Sequence, residues 1–223
     1  KKCDLKTDDL LIFLGDYVDG WSDSPKVLDY LIELQQTHQC VFLQGNHDEL
    51  LLKWFLTKEH NPLWLKHGGQ STIDAYQDID QATQSKHIHF LKNLTPYYTD
   101  EKNRLFIHAG FTNPNGIEHE YFPKMFHWDR TLWEAALAMD HTLSKKDLFY
   151  PKRLSLYEEI FIGHTPVTRI GYSVPVNRAN VWNVDTGAGF RGPLSAVEVH
   201  SKQVYQSDPA FTFYPDEKGR TYV

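Results

Sequence analysis

Two apolar runs, Leu10-Leu11-Ile12-Phe13-Leu14 and Cys40-Val41-Phe42-Leu43, each lead into a glycine and then into polar donors. Gly15-Asp16 follows the first and Gly45-Asn46-His47-Asp48 the second. Unbroken apolar runs of this length mark strands buried on both faces. Between them, Ser24-Pro25 reads as an N-cap with proline at the first helical position. Val27, Leu28, Leu31, Ile32 and Leu34 then recur at helical spacing, so a helix is expected over residues 25–37. Strand, helix, strand over this length is a βαβ unit, and its two strands should be parallel neighbours.

Working outward, residues 48–57 read as a helix with Leu50, Leu51, Trp54 and Phe55 inward, and residues 58–69 as a loop ending in Gly68-Gly69. Two helices are expected within residues 70–93. A hairpin is expected from 97–99 and 104–107 around the polar tip Asp100-Glu101-Lys102-Asn103. Residues 111–128 look irregular, residues 129–141 helical, and Ile160-Phe161-Ile162 is a short buried strand. From residue 181 the pattern is mostly β, in runs at 181–184, 194–199, 203–206 and 211–214. This order argues for one α/β domain over residues 1–223, with a mixed sheet.

The 223 residues are 41% hydrophobic with a formal charge of −6. That allows a substantial single core and gives no basic excess to attract nucleic acid or an anionic membrane surface. Cys3 and Cys40 form no disulfide framework, so a reducing, cytoplasmic setting is the default. No apolar stretch approaches the length of a membrane-spanning helix.

Chemistry concentrates in four blocks: Gly15-Asp16-Tyr17-Val18-Asp19-Gly20, Gly45-Asn46-His47-Asp48, His108-Ala109-Gly110 and Gly163-His164-Thr165-Pro166. Each follows an apolar run and puts an Asp, Asn or His at a strand end, where α/β folds gather functional groups. Asp16, Asn46, His108 and His164 together offer oxygen and imidazole donors suited to a divalent first-row metal. His47 adjoins Asn46 and cannot share its direction. It suits a general acid, with Asp19 orienting it. The other histidines lack ligand spacing; His87 and His89, two apart on a helix, do not share a face. Asp48 reads as a helix cap, Asp185 as a supporting carboxylate, and Trp128 and Trp133 as packing residues.

In order and content these blocks resemble the calcineurin-like metallophosphoesterases, and within them the bacterial relatives of the phosphoprotein Ser/Thr phosphatases. Asn183-Val184-Asp185-Thr186-Gly187-Ala188 extends the likeness. The resemblance implies an α/β fold of the four-layer α/β/β/α sandwich type with mixed sheets. It also implies two divalent metal ions, manganese foremost and iron or zinc also fitting. Asp16 would bridge both ions; Asn46, His108 and His164 would complete one of them. His47 with Asp19 would protonate the leaving group, and Arg130 would grip the substrate phosphate. The implied activity is hydrolysis of phosphomonoesters by in-line attack of a metal-bridging hydroxide, with phosphoserine and phosphothreonine proteins as leading substrates. Dinucleoside polyphosphates of the diadenosine tetraphosphate kind are the alternative, and a phosphoprotein-binding module without catalysis is a second.

Two departures stand out. Relatives with Gly-Asp-x-x-Asp-Arg-Gly carry a second phosphate-binding arginine, where this chain has Gly20 and then Trp21. That contact is either missing or supplied elsewhere, and Arg153 and Arg191 are candidates. The family's Asp-x-His motif, which completes the first metal, is also absent from residues 1–15. It is expected in a preceding segment of roughly 25–35 residues, about one helix plus one strand.

Overall fold

The computed structural model describes residue 3 and residues 5–221 of the chain. Strand β1 (Leu10–Phe13) runs parallel to β2 (Gln39–Phe42), with Ile12 opposite Val41. Helix α1 (Ser24–Leu34) makes the crossover, so the expected βαβ unit is present. Its start differs from the sequence reading. Asp23 holds the N-cap position without a side-chain cap, and Ser24 is already helical. The Ser24 hydroxyl accepts the Asp19 N–H at 3.1 Å and pairs with Thr72 at 3.0 Å, so it serves the loop after β1 instead.

Helix α2 (Asn46–Thr57) begins where extended Gly45 hands over to Asn46. The Asp48 carboxylate reaches back to accept the Gly45 N–H at 2.8 Å, as a capping residue at the third helical position does. The expected loop at 58–69 is in fact largely helical. Asn61 Oδ1 accepts the Leu63 and Trp64 N–H groups and caps the single turn α3 (Pro62–Trp64). A wide turn over Leu65–Gly69 continues it and kinks at Gly68. One helical turn is too short to show periodicity, which is why the sequence read as loop. The two expected helices follow as α4 (Gln70–Ala75) and α5 (Gln81–Lys92).

The hairpin forms as expected from β3 (Tyr97–Thr99) and β4 (Leu105–Ile107). Short α6 (Met125–Trp128) interrupts the region expected to be irregular, and α7 (Thr131–Ala138) replaces the longer helix expected at 129–141. The Asp129 carboxylate accepts the Thr131 and Leu132 N–H groups, which sets where α7 starts. After α8 (Lys152–Ser155) come β5 (Ile160–Ile162), β6 (Val176–Arg178) and β7 (Val181–Asn183). The five-stranded sheet has the order β3-β4-β5-β7-β6 and is mixed: β4, β5 and β7 are parallel, while β3 and β6 run against their neighbours. Strands β8 (Pro193–Val197) and β9 (Val204–Pro209) form a separate antiparallel pair. The strand expected at 211–214 is instead a 3-10 turn at Ala210–Thr212, entered from Pro209.

Strand alternation divides the apolar side chains among three cores. Phe13 and Phe42 face α1–α5, packing with Leu28, Leu31, Leu51, Phe55 and Trp64. On the other sheet Leu105, Ile107, Ile160, Ile162 and Val181 face α6–α8, meeting Phe126, Leu132, Trp133 and Leu154. Between them Leu43, Phe106 and Phe161 share a third core with Ile12, Val41, Trp182 and Val197 of β8. Helices over strands, strands against strands, and helices again give the layered α/β arrangement with mixed sheets. Among the described residues no helix is long and apolar enough to cross a membrane.

Candidate active site

Asp16 follows β1, Asn46 and His47 open α2, His108 follows β4 and His164 follows β5, so the four sequence blocks meet at one set of strand ends. Their backbones approach closely enough that a Cβ on Gly45 would overlap the Asp16 carboxylate. Asp16, Asp19 and His164 hold φ at 64°, 80° and 67°, in the left-handed region that non-glycine residues seldom occupy.

Asn46 Oδ1 lies 3.2 Å from His108 Nε2 and 2.9 Å from His164 Nδ1, and His108 Nε2 lies 3.4 Å from Asp16 Oδ1. Donors ~2.1 Å from a common ion stand ~3.0–3.5 Å apart, so these spacings match the edges of a coordination shell. The protonation pattern agrees. His108 Nδ1 donates to the Leu14 carbonyl at 2.6 Å, and burial, opposed by Asp16, lowers its pKa, so the ring is neutral with a lone pair on Nε2. That lone pair faces two further acceptors, a contact that favours a cation between them. Burial, aided by the nearby His108 and Arg130, takes His164 well below the usual imidazole value, and its Nε2 is buried without a hydrogen-bond partner. His, Cys, Asp and Glu alone make no metal-holding group of three among the described residues; Asn46 is what joins the set. The donors therefore fit one divalent ion, and for a second the described residues supply Asp16 alone.

On the other side of Asp16 stands His47, with Nε2 4.0 Å from Asp16 Oδ2 and Nδ1 2.5 Å from Asp19 Oδ2. Asp19 is 4% exposed and also accepts from Trp64 Nε1 and Thr72 Oγ1, at 2.5 and 2.6 Å. Its position is thus fixed by α3 and α4, and it fixes the imidazole in turn. Behind the turn, Asp48 accepts the N–H groups of Asp16 and Tyr17 as well as that of Gly45. Burial and the neighbouring charge on Asp16 push the Asp48 carboxyl up to about 8 against those three donors. For Asp16, burial raises the pKa, but the surrounding basic groups, the Arg220 guanidinium among them, outweigh it and hold the carboxyl well below its usual range.

Arg130 Nη1 donates to Thr165 Oγ1 at 3.0 Å, which ties its guanidinium beside His164. Of the two arginines considered for the missing contact, Arg153 is spent on the Phe111 and Thr131 carbonyls and the Thr131 hydroxyl. Arg191 lies over the Phe211 ring, 5.2 Å from its centroid. The arginine that reaches the site is Arg220, whose Nη1 donates to Asp16 Oδ2 at 2.8 Å. It lies 204 positions beyond Asp16 in no strand or helix, so spacing could not point to it. His87, set aside as a ligand, is buried between Tyr76 and Asp29.

A family model described as calcineurin-like phosphoesterase matches residues 2–188. An asymmetrical bis(5'-nucleosyl)-tetraphosphatase PrpE of Anoxybacillus flavithermus is 28% identical over 223 residues, 95% of this chain and 84% of its own length. Serine/threonine-protein phosphatase 1 of Salmonella typhimurium is 26% identical over 195 residues, 86% of this chain and 79% of its own length. Among solved structures, that of a protein provisionally described as a diadenosine tetraphosphatase superposes with a TM-score of 0.56 at 20% identity. It covers 89% of this chain and 80% of its own.

Proposed function

Because the chain belongs to the calcineurin-like phosphoesterases, we propose that it hydrolyses phosphomonoesters, with phosphorylated Ser and Thr side chains as the leading substrate class. The named activities of the relatives divide between dinucleoside tetraphosphates and phosphoproteins at 28% and 26% identity, too close together to choose. The observation that carries the choice is the buried His47–Asp19 pair. An alkoxide leaving from a phosphomonoester is strongly basic and needs a proton donor, whereas a nucleotide leaving from a phosphoanhydride is already a weak base.

In this reading Asp16, Asn46, His108 and His164 hold a divalent ion; a second would share Asp16. When bound, such an ion polarises a phosphoryl oxygen and offsets the charge on the transferring group. Arg130 binds phosphate oxygens through its planar fork. Asp19 holds His47 Nδ1, leaving Nε2 to give its proton to the departing oxygen. A second reading, hydrolysis of dinucleoside tetraphosphates, is favoured by the names of the PrpE relatives.

The test compares a phosphoserine peptide with diadenosine tetraphosphate as substrates for the manganese-loaded wild type and for His47→Ala. The peptide should have the higher kcat/KM, and the variant should lose at least ~10²-fold on it and much less on the anhydride. A higher kcat/KM for the tetraphosphate selects the second reading, and equal losses on both substrates remove the proton-donor role.

A further inference from the structure

Gly20-Trp21 stands where the Gly-Asp-x-x-Asp-Arg-Gly pattern has its arginine, and Arg220 passes beside Gly20 to reach Asp16. We propose that Arg220 is the second phosphate-binding arginine of the site, carried there by the segment 214–221 instead of by the loop after Asp19. The inference rests on the phosphoesterase reading above.

Position is the first support. Arg220 Nη1 donates to Asp16 Oδ2 at 2.8 Å and Nη2 to the Val18 carbonyl at 2.6 Å. His47 Nε2 lies 4.0 Å from the same Asp16 oxygen, so the guanidinium and the proton donor meet at one carboxylate oxygen. Arg220 Nε is buried and has no acceptor. Donors left over on a planar fork beside Asp16 are what a phosphate oxygen pair would take up.

The second support is that the chain is built to admit this side chain. A Cβ on Gly20 or Gly68 would lie 3.1 Å from Arg220 Cγ, and one on Gly189 would lie 2.9 Å from its Cδ and Nε. Three glycines from separate segments thus form the channel through which the arginine runs. An arginine at position 20 would occupy that channel itself, and φ of +99° there disfavours any side chain.

Third, the residues after Gly20 seat the segment. Trp21 stacks on Tyr214 with ring centroids 5.4 Å apart and donates to the Ala188 carbonyl at 2.9 Å. Ser22 binds the Glu217 carboxylate through its N–H and hydroxyl, and the Tyr214 hydroxyl donates to Asp23 at 2.8 Å. The Arg220 N–H donates to the Gly189 carbonyl at 2.7 Å, and Thr221 Oγ1 donates to the Lys66 carbonyl. The residues that follow Asp19 in place of an arginine thus form the dock for the segment that carries Arg220.

The test uses the full chain as wild type, Arg220→Ala and Arg220→Lys. Inorganic phosphate affinity and manganese affinity are read by titration calorimetry, and p-nitrophenyl phosphate turnover by absorbance. Arg220→Ala should weaken phosphate binding ~10-fold or more and lower kcat/KM ~10²-fold, while manganese still binds. Arg220→Lys keeps a buried cation, so the fold stands, yet lacks the fork and should recover phosphate affinity only in part. Added guanidinium ion should restore part of the Arg220→Ala rate. Unchanged phosphate affinity in both variants overturns the proposal. So does a rise in manganese affinity in Arg220→Ala without loss of phosphate binding, which would make Arg220 a resident counter-charge on Asp16. A wild type that hydrolyses no phosphoester or anhydride overturns the phosphoesterase reading instead, and phosphate titration still decides the role of Arg220.

Discussion

Asp16, Asp19 and His164 hold left-handed backbone conformations, each at a cost of roughly 1–3 kcal/mol. The hydrogen bonds around them sustain that strain: Asp48 accepts the Asp16 N–H, and Ser24 and Thr72 accept the Asp19 N–H. What the strain secures is direction, because a carboxylate three residues past the end of β1 must turn to meet His108 and the His47 N–H. These polar residues were legible in the sequence, since Gly-Asp and Gly-Asn-His punctuate apolar runs. Arg220 was not, because its role comes from three distant glycines and a docked segment that leave no local pattern.

Asp185, beside the donor set but not part of it, allows a pH test. Burial pushes its carboxyl up to about 6, against the Gly187 N–H it accepts and the nearby Arg220. An unfolded-chain Asp ionises near ~4. Between those values the folded protein holds a proton that the unfolded chain releases, so this group's contribution to stability falls as pH rises from ~4 through ~6 and is level above. Asp185→Asn, which cannot ionise, should therefore gain stability relative to wild type over that window, by up to ~2 kcal/mol. Urea unfolding of both proteins at pH 4.5 and 7 measures the difference. A difference that does not change with pH would mean that Asp185 titrates like an exposed carboxylate.

At the scale of elements, the βαβ unit was legible from two apolar runs around an amphipathic helix, the hairpin from its polar tip, and the α4–α5 pair as two helices without bounds. Three elements were not. Residues 58–69 hold the short turn α3, capped by Asn61, and the wide turn at 65–69, residues 211–214 turn instead of extending after Pro209, and α7 is shorter than its apolar face suggested. In each case a local cap or turn decides, and apolar spacing does not register it. Helix α2 joins fold and site, because its first residues are Asn46 and His47 while Leu51, one turn on, is fully buried. Leu51→Ala should cost ~3–5 kcal/mol, and Leu56→Ala on the exposed face no more than ~0.5 kcal/mol. Denaturant midpoints of the two variants check this. Equal midpoints would contradict the packing of α2 against α1, α3 and α5.

For the whole molecule, the donors are shared between its halves. Asp16 and Asn46 come from the unit packed under α1–α5, while His108 and His164 come from the strands packed under α6–α8. An ion held by all four is a cross-link between two helix-covered sheets that otherwise meet through the Leu43, Phe106 and Phe161 core. The unfolded chain scatters these four donors over 149 residues and cannot offer them together, so an ion held by all four would bind the folded state alone and stabilise it by mass action. At a free concentration ~100 times its dissociation constant, the gain is ~2.7 kcal/mol. For a chain of this size that is ~5–10 °C in Tm. Manganese should therefore raise Tm by that amount, and excess chelator should reverse it. His164→Ala removes one donor from the second half and should abolish most of the rise while leaving the chelated Tm near that of wild type. Calorimetry with and without manganese makes the comparison. A wild-type Tm indifferent to manganese, or a His164→Ala protein with the full rise, would mean that these side chains converge for some purpose other than holding a cation.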